Sequence, residues 1–119
     1  MDNSFLSSLK PLFKHGVEYI GIINERGRLV DAIYKNQMDM PGGQLEMFFM
    51  GIRLQCSMQK DFDGMMSTLS HILMERENLK TLCIPILSFI VLVVMGKKAN
   101  HRKIVEKITH AVTRLDKIQ

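Results

Sequence analysis

The sequence lacks tryptophan and has only two cysteines among its 119 residues. Cys56 and Cys83 are too few for a disulfide framework, and each lies inside an apolar run. They are therefore interpreted as small buried hydrophobic residues in a reducing compartment. A chain of this length has room for a single domain, residues 1–119, because two separate cores would each be marginal. The 46% hydrophobic content excludes a disordered chain.

The sequence also lacks an apolar segment long enough to cross a membrane as a helix. Its most apolar run, residues 82–95, is shorter than the roughly 20 residues that a spanning helix needs, and Pro85 and Ser88 interrupt it. Two buried strands joined by a tight turn account for this run better, because β-branched residues fill its second half. The first residues have neither the basic nor the apolar region of a signal peptide. We therefore expect a soluble, cytoplasmic protein.

Motifs that carry catalysis or hold metals are missing. The sequence contains no Gly-x-Ser-x-Gly elbow, no phosphate loop with Gly-Lys-Ser/Thr and no His-Glu-x-x-His. Asp61, Asp63 and Gly64 are spaced like the start of a calcium loop, but Ile72 stands where the closing Glu belongs. We therefore predict no catalytic residue, no cofactor, no metal site and no enzyme activity.

Apolar periodicity along the chain predicts an α+β fold in the order helix, strand, strand, helix, strand, strand, strand, helix. In the first helix, residues 5–13, Pro11 is expected to kink the helix or split it in two. The strands are predicted at residues 17–24, 28–35, 68–75, 79–86 and 89–95. The central helix is predicted at residues 44–60, and a last helix follows residues 96–100.

The central helix has two apolar stripes on opposite sides. An inner stripe, containing the aromatic residues, consists of Leu45, Phe48, Phe49, Ile52 and Cys56. An outer stripe consists of Met47, Met50, Leu54 and Met58. One sheet face can cover only one stripe, so the outer stripe is predicted to bind a partner or, alternatively, to lie under a terminal helix of the same chain. Covering it would remove on the order of 200–400 Å² of apolar surface from water.

Basic residues are concentrated in the last part of the chain. Seven of the 16 Lys and Arg residues lie from Lys97 onward, against Glu106 and Asp116. A candidate patch for an anionic partner consists of Lys97, Lys98, Lys103, Lys107 and Arg114. A solvated helix face is the other interpretation. Since no aromatic residue lies among these cations to stack a base, the sequence argues against nucleic acid as the partner.

The order of the predicted elements, over nearly the whole chain, resembles the Roadblock/dynein-light-chain family, which is close in architecture to profilin and longin domains. Three parts of the sequence are also similar to small archaeal proteins of thaumarchaeal type. They are the hairpin at residues 21–30, the end of the Met-rich helix at residues 61–63, and the strand residues Ile84, Pro85 and 91–93.

The resemblance implies a five-stranded antiparallel sheet with the central helix on one face and the terminal helices on the other, as a two-layer or three-layer sandwich. It further implies a homodimer in which two subunits join edge strands and lay their central helices side by side. The third strand would be the pairing edge, placing Ser70, Ile72 and Met74 in the dimer interface beside the outer stripe. Family members often act as non-enzymatic platforms that bind or regulate small GTPases, which implies such a GTPase or another protein as a partner.

Two alternatives to a dimeric interaction module remain open from the sequence. A curved sheet covered by a long helix can enclose a pocket, which would suit a monomeric small-molecule sensor. The basic last helix could instead bind nucleic acid weakly, with an affinity that falls steeply as salt increases.

Overall fold

The computed structural model describes residues 3–118, with side chains for residues 4–114. Its strands are β1 (Val17–Ile23), β2 (Leu29–Tyr34), β3 (Ile72–Glu75), β4 (Leu79–Ile86) and β5 (Phe89–Gly96). Its helices are α1 (Asn3–Ser8), α2 (Gly42–Lys60), α3 (Asp63–Met66), α4 (His101–Ile118) and a 3-10 helix (Lys10–His15). No helix in the described part of the chain is both long enough and apolar enough to cross a membrane.

The five strands form one antiparallel sheet in the order β2-β1-β5-β4-β3, so that β2 and β3 are its edges. Alternate residues of the central strands enter two separate cores. Ile90 and Leu92 pack under α2, whereas Val91 and Val93 pack under α1, the 3-10 helix and α4. The α+β prediction is therefore confirmed, and the sandwich has three layers.

The first predicted helix is split at the place that Pro11 indicates. The α-helical part ends at Ser8, and a 3-10 helix with the proline in its first turn follows. Proline has no N–H to donate, so it is tolerated at a helix start but not inside a helix. Gly16 ends the segment with a φ of 91°. Both pieces pack on the sheet, since Phe5, Leu9 and Leu12 are buried.

The third strand is shorter than predicted, which corrects the interpretation of residues 68–75. β3 begins only at Ile72, and a short unpredicted helix, α3, precedes it. The Asp63 carboxylate accepts a hydrogen bond from the Leu69 N–H at 3.0 Å and holds the intervening loop. Continuing the β3–β4 register would place Ser70 opposite Pro85, which has no N–H to donate.

The last helix covers the sheet face opposite α2. Ile104 and Ile108 are fully buried, and Val105, Ala111 and Val112 pack at the edge of the same core. The remaining members of its predicted apolar stripe, Leu115 and Ile118, lie outside the residues whose side chains the structure describes.

Candidate functional site

The inner stripe of α2 lies on the sheet, as predicted. Phe49, Ile52 and Cys56 are buried against Tyr19, Ile23, Cys83, Ile90 and Leu92. Leu45 and Phe48 lie half-buried at the border of this core. One side of α2 is therefore fully used in holding the helix to its own sheet.

The outer stripe of α2 is exposed. Its four side chains keep between 42% and 74% of their surface accessible, with Met50 lowest and Met47 highest. The alternative in which a terminal helix covers this stripe is wrong, because α1 and α4 pack on the opposite face of the sheet. An exposed row of large apolar side chains on one helix is a feature of protein-binding surfaces.

The turn between β1 and β2 gives Met50 its partial cover. Gly27 adopts a left-handed φ of 78°, and a Cβ placed there would lie 2.7 Å from the Met50 sulfur and 3.2 Å from its Cα. The Asn24 side chain holds this turn by accepting hydrogen bonds from the N–H groups of Arg26 and Arg28, at 2.9 and 3.0 Å. Only glycine allows the turn to approach α2 so closely.

Exposed apolar residues continue beyond the end of α2, which the sequence interpretation missed. Phe62, Met65 and Met66 are 47%, 78% and 75% exposed. The backbone stays nearly helical there, since the Phe62 N–H bonds to the Gln59 carbonyl and the Met66 N–H to the Phe62 carbonyl. The spacing of three and four residues from Met58 onward was the signal that could have revealed this extension.

The predicted β3 contact residues are only partly brought together. Ile72 and Met74 are half-buried and point to the sheet face that carries α2. Ser70 is exposed in the loop before β3 instead of lying on the strand. Among the described strands β3 pairs with β4 alone, so its outer edge presents unpaired backbone groups.

Chemically reactive groups are scarce at this surface. Cys56 and Cys83 are free and buried on the α2 side of the sheet. Burial, and secondarily the neighbouring Cys56, raises the pKa of the Cys83 thiol to about 12. Burial also raises the pKa of Cys56, against the opposing charges of Arg53 and Lys60. Both thiols are therefore protonated and poorly nucleophilic at neutral pH. Among the described residues no group of His, Cys, Asp and Glu side chains is arranged to hold a metal ion.

The structure brings together four of the five cations in the predicted anionic-partner patch. Lys98, Lys103, Lys107 and Arg114 line hollows between α4 and the first two helices. Lys97 lies elsewhere. Its ammonium donates to the Arg76 carbonyl at 2.9 Å, 3.9 Å from a Glu75 carboxylate oxygen, which places it at the turn between β3 and β4.

Comparison of the fold with solved structures gives close matches, although no protein-family model and no curated protein matches the sequence. A Roadblock/LC7 domain from Streptomyces avermitilis matches with a TM-score of 0.72 at 7% identity, over 98% of this chain and 96% of that chain. MglB from Myxococcus xanthus matches with a TM-score of 0.75 at 11% identity, over 98% and 94%. An MglB with a tetrameric arrangement matches with a TM-score of 0.74 at 11% identity, over 97% and 87%.

Each of these matches covers almost the whole of this chain. The predicted similarity to archaeal proteins stays a prediction. Likeness at such low sequence identity shows the fold alone, and the fold of this chain is that of Roadblock/LC7 domains.

Proposed function

We propose that this protein is a non-enzymatic, cytoplasmic interaction module that works as a homodimer. The observation that carries the proposal is the exposed outer stripe of α2, which the protein's own helices leave uncovered. In a dimer, the outer stripes of two copies would pack against each other. The edges of two β3 strands would pair beside them, extending the sheet from one subunit into the next.

The size of the contact supports using both elements together. A stable interface buries about 800 Å² on each partner, whereas the outer stripe alone offers on the order of 200–400 Å². The β3 edge and the exposed side chains of Phe62, Met65 and Met66 supply further surface next to the end of α2. A flexible methionine surface packs well against a copy of itself because its side chains adapt to each other.

The partner of the dimer is proposed from the family resemblance. A Roadblock-like dimer acting as a platform for a small GTPase would leave catalysis to the GTPase and supply only a binding surface. An MglB with the same fold has a tetrameric arrangement, which supports the proposal that a chain with this fold can self-associate. Affinity purification from the native cell, followed by mass spectrometry, tests whether a GTPase accompanies the protein.

Self-association is tested by sedimentation equilibrium. The wild-type protein is expected to sediment at about twice the 13.7 kDa chain mass. The double variant Leu54→Glu, Met58→Glu places charges in the apolar contact and should weaken the dimer by at least about a hundredfold. Gln44→Glu with Gln55→Glu is the matched control, because it adds the same two charges on exposed residues of the same helix outside the outer stripe.

Circular dichroism should show that the double variant keeps its helix and strand content. Leu54→Gln with Met58→Gln provides a milder second variant if the charged double variant aggregates. A wild-type protein that remains monomeric at high micromolar concentration, or a folded double variant that dimerises like the wild type, contradicts the proposal.

A second candidate function, a small-molecule sensor, would use a hollow between the β1–β2 turn and α2. This hollow has a volume of about 520 Å³ and is lined by Leu29, Glu46, Phe49 and Met50. A thermal-shift screen against nucleotides and metabolites tests it. A ligand-dependent rise in Tm of a monomeric protein would favour the sensor over the dimer, and a flat response would leave the dimer as the better account.

A further inference from the structure

A groove runs along the side of the molecule opposite the outer stripe, between α4 and the first two helices. It consists of two adjoining hollows of about 400 and 250 Å³, which share Leu12 and Lys107 as lining residues. We call it the α4 groove. From Asn100 to Arg114 it follows α4 for about 21 Å, taking a rise of about 1.5 Å per residue.

The floor of the α4 groove is apolar and its rim is basic. Beneath the groove lie the buried side chains of Phe5, Leu9, Leu12 and Ile104. The accessible apolar surface of the floor comes from Pro11, Ala111 and the methylene stem of Lys107. The basic and titratable residues that line it are His15, Lys98, Lys103, Lys107, His110 and Arg114. No Asp or Glu lines the groove within the described residues.

The cations of the rim are not used inside the protein. Among the described residues, Lys98, Lys103, Lys107 and Arg114 form no ion pair with a carboxylate, in contrast to Lys97. Four exposed positive charges along one groove repel each other and create a field that attracts negative charge. Within the described residues no carboxylate pairs with these cations, so they are open to solvent ions or to an anionic binding partner.

We propose that the α4 groove binds an acidic peptide segment that carries apolar side chains between its carboxylates. The length of the groove accommodates about six residues of extended chain at roughly 3.3 Å each. The carboxylates would pair with the rim while the apolar side chains lie against Pro11, Ala111 and the methylene stem of Lys107. This segment belongs to a partner protein, since Asp and Glu of the described chain are absent from the groove.

The shape and composition of the groove favour a peptide over the other anionic partners. A concave trough fits a single chain, whereas a membrane surface is flat. Proteins that bind single-stranded nucleic acid stack its bases on exposed aromatic rings, but Phe5, the aromatic residue of the groove, is only 2% exposed. Simple anions would use the rim and leave the apolar surface of Pro11 and Ala111 in contact with water.

The test is fluorescence anisotropy at low salt with a labelled peptide of sequence Glu-Asp-Leu-Leu-Glu-Glu-Leu-Leu-Asp-Glu. We expect saturable binding that weakens at least tenfold in the double variant Lys107→Glu, Arg114→Glu. Lys35→Glu with Lys60→Glu is the matched control, since it changes the net charge equally on exposed residues outside the groove. A peptide with Ser in place of every Leu should also bind at least tenfold more weakly.

Several outcomes would overturn the proposal. They are equal binding by the groove variant and its control, equal binding of the two peptides, and tighter groove-dependent binding of single-stranded DNA or of phosphatidylserine vesicles. The monomer-favouring variant Leu54→Glu, Met58→Glu should bind the peptide within about twofold of the wild type. Loss of binding in that variant would place the peptide on α2 and likewise reject the groove, whereas a failure of dimerisation alone would leave the groove proposal standing.

Discussion

At the scale of single residues, Lys80 departs most from its expected environment. Its side chain points from β4 toward the start of α4 and is only 5% exposed. Its ammonium donates to the Ala99 carbonyl at 2.5 Å and to the Nδ1 atom of His101 at 3.1 Å. The second hydrogen bond requires Nδ1 to be unprotonated, so the charge of Lys80 and that of a protonated His101 oppose each other.

The surroundings of His101 lead to a prediction about pH. Burial lowers the pKa of His101 from 6.5, and Lys80, Arg102 and His71 act in the same direction against Glu75. The unfolded chain therefore binds this proton more readily than the folded chain, so the free energy of unfolding should decrease as pH falls through about 6.5. Thermal melts of the wild type and His101→Gln at about pH 7.5 and pH 5.5 test this. The glutamine variant should lose less Tm on acidification, and equal losses would contradict the assignment.

At the scale of elements, two glycines show how differently the chain uses this residue. Gly27 takes a left-handed φ and brings the β1–β2 turn against the backbone of Met50. Gly51 lies one residue further along α2, in an exposed part of the helix, and an added Cβ there would meet nothing within 4 Å. Flexibility is required at Gly27, but at Gly51 it only lowers helix propensity.

The two glycines give a matched pair of substitutions. Gly27→Ala should lower the free energy of unfolding by about 1–3 kcal/mol, because the backbone is strained and Met50 must move. Gly51→Ala should raise it by about 0.5–1 kcal/mol. Urea unfolding in the Leu54→Glu, Met58→Glu background measures both without a contribution from self-association. A Gly27→Ala variant that is as stable as its parent would contradict the packing of the turn on α2, and a loss of stability in Gly51→Ala would contradict the open space at that position.

The elements differ in how well the sequence predicts them. β1, β4, β5 and α2 follow their predicted bounds within one or two residues, because each has a strong apolar pattern of its own. The split of the first helix is also predictable, since Pro11 acts locally. The start of β3 is not, because it depends on the contact between Asp63 and Leu69 and on the register opposite Pro85.

The sequence also predicts the two candidate surfaces unequally, because a local pattern is visible in the sequence and contacts between distant segments are not. The outer stripe lies on one helix, so its spacing alone identified it and the structure leaves it exposed. The α4 groove joins Phe5 and Leu12 to Lys107 and Arg114, which are remote in sequence. The sequence shows the basic residues of the groove as a charge pattern. It does not show the apolar floor, because that floor forms only when α1 and the 3-10 helix pack beside α4. Lys97, also in the predicted anionic-partner patch, does not line the groove, because the chain turns after β5 and directs Lys97 toward Glu75 and Arg76.

At the scale of the whole molecule, the sheet keeps the two proposed surfaces apart. The outer stripe lies on the α2 layer, and the α4 groove lies on the layer formed by α1, the 3-10 helix and α4. The outer stripe is apolar, whereas the α4 groove adds a basic rim to its apolar floor, so charge contributes only to binding in the groove. A partner in the groove therefore has no steric reason to compete with a second copy of the chain.

Salt should separate these two associations. Raising NaCl from about 0.05 to 0.5 M shortens the Debye length severalfold and should weaken acidic-peptide binding at least tenfold. The same change should alter the dimer dissociation constant by less than about threefold, because that contact is apolar. Sedimentation velocity with the labelled peptide follows both species in one sample. A dimer that dissociates in step with the peptide would show that charge governs both contacts.

The arrangement of the layers also bears on how the protein can be handled. α1 and α4, the first and last helices of the described chain, pack on the same side of the sheet and contact the same core. A fluorescent label attached to an exposed residue of α1 or α4 would be carried on that side, close to the α4 groove and away from α2. Protein labelled there is therefore suitable for measuring the pairing of subunits, whereas peptide titrations require a label on another layer.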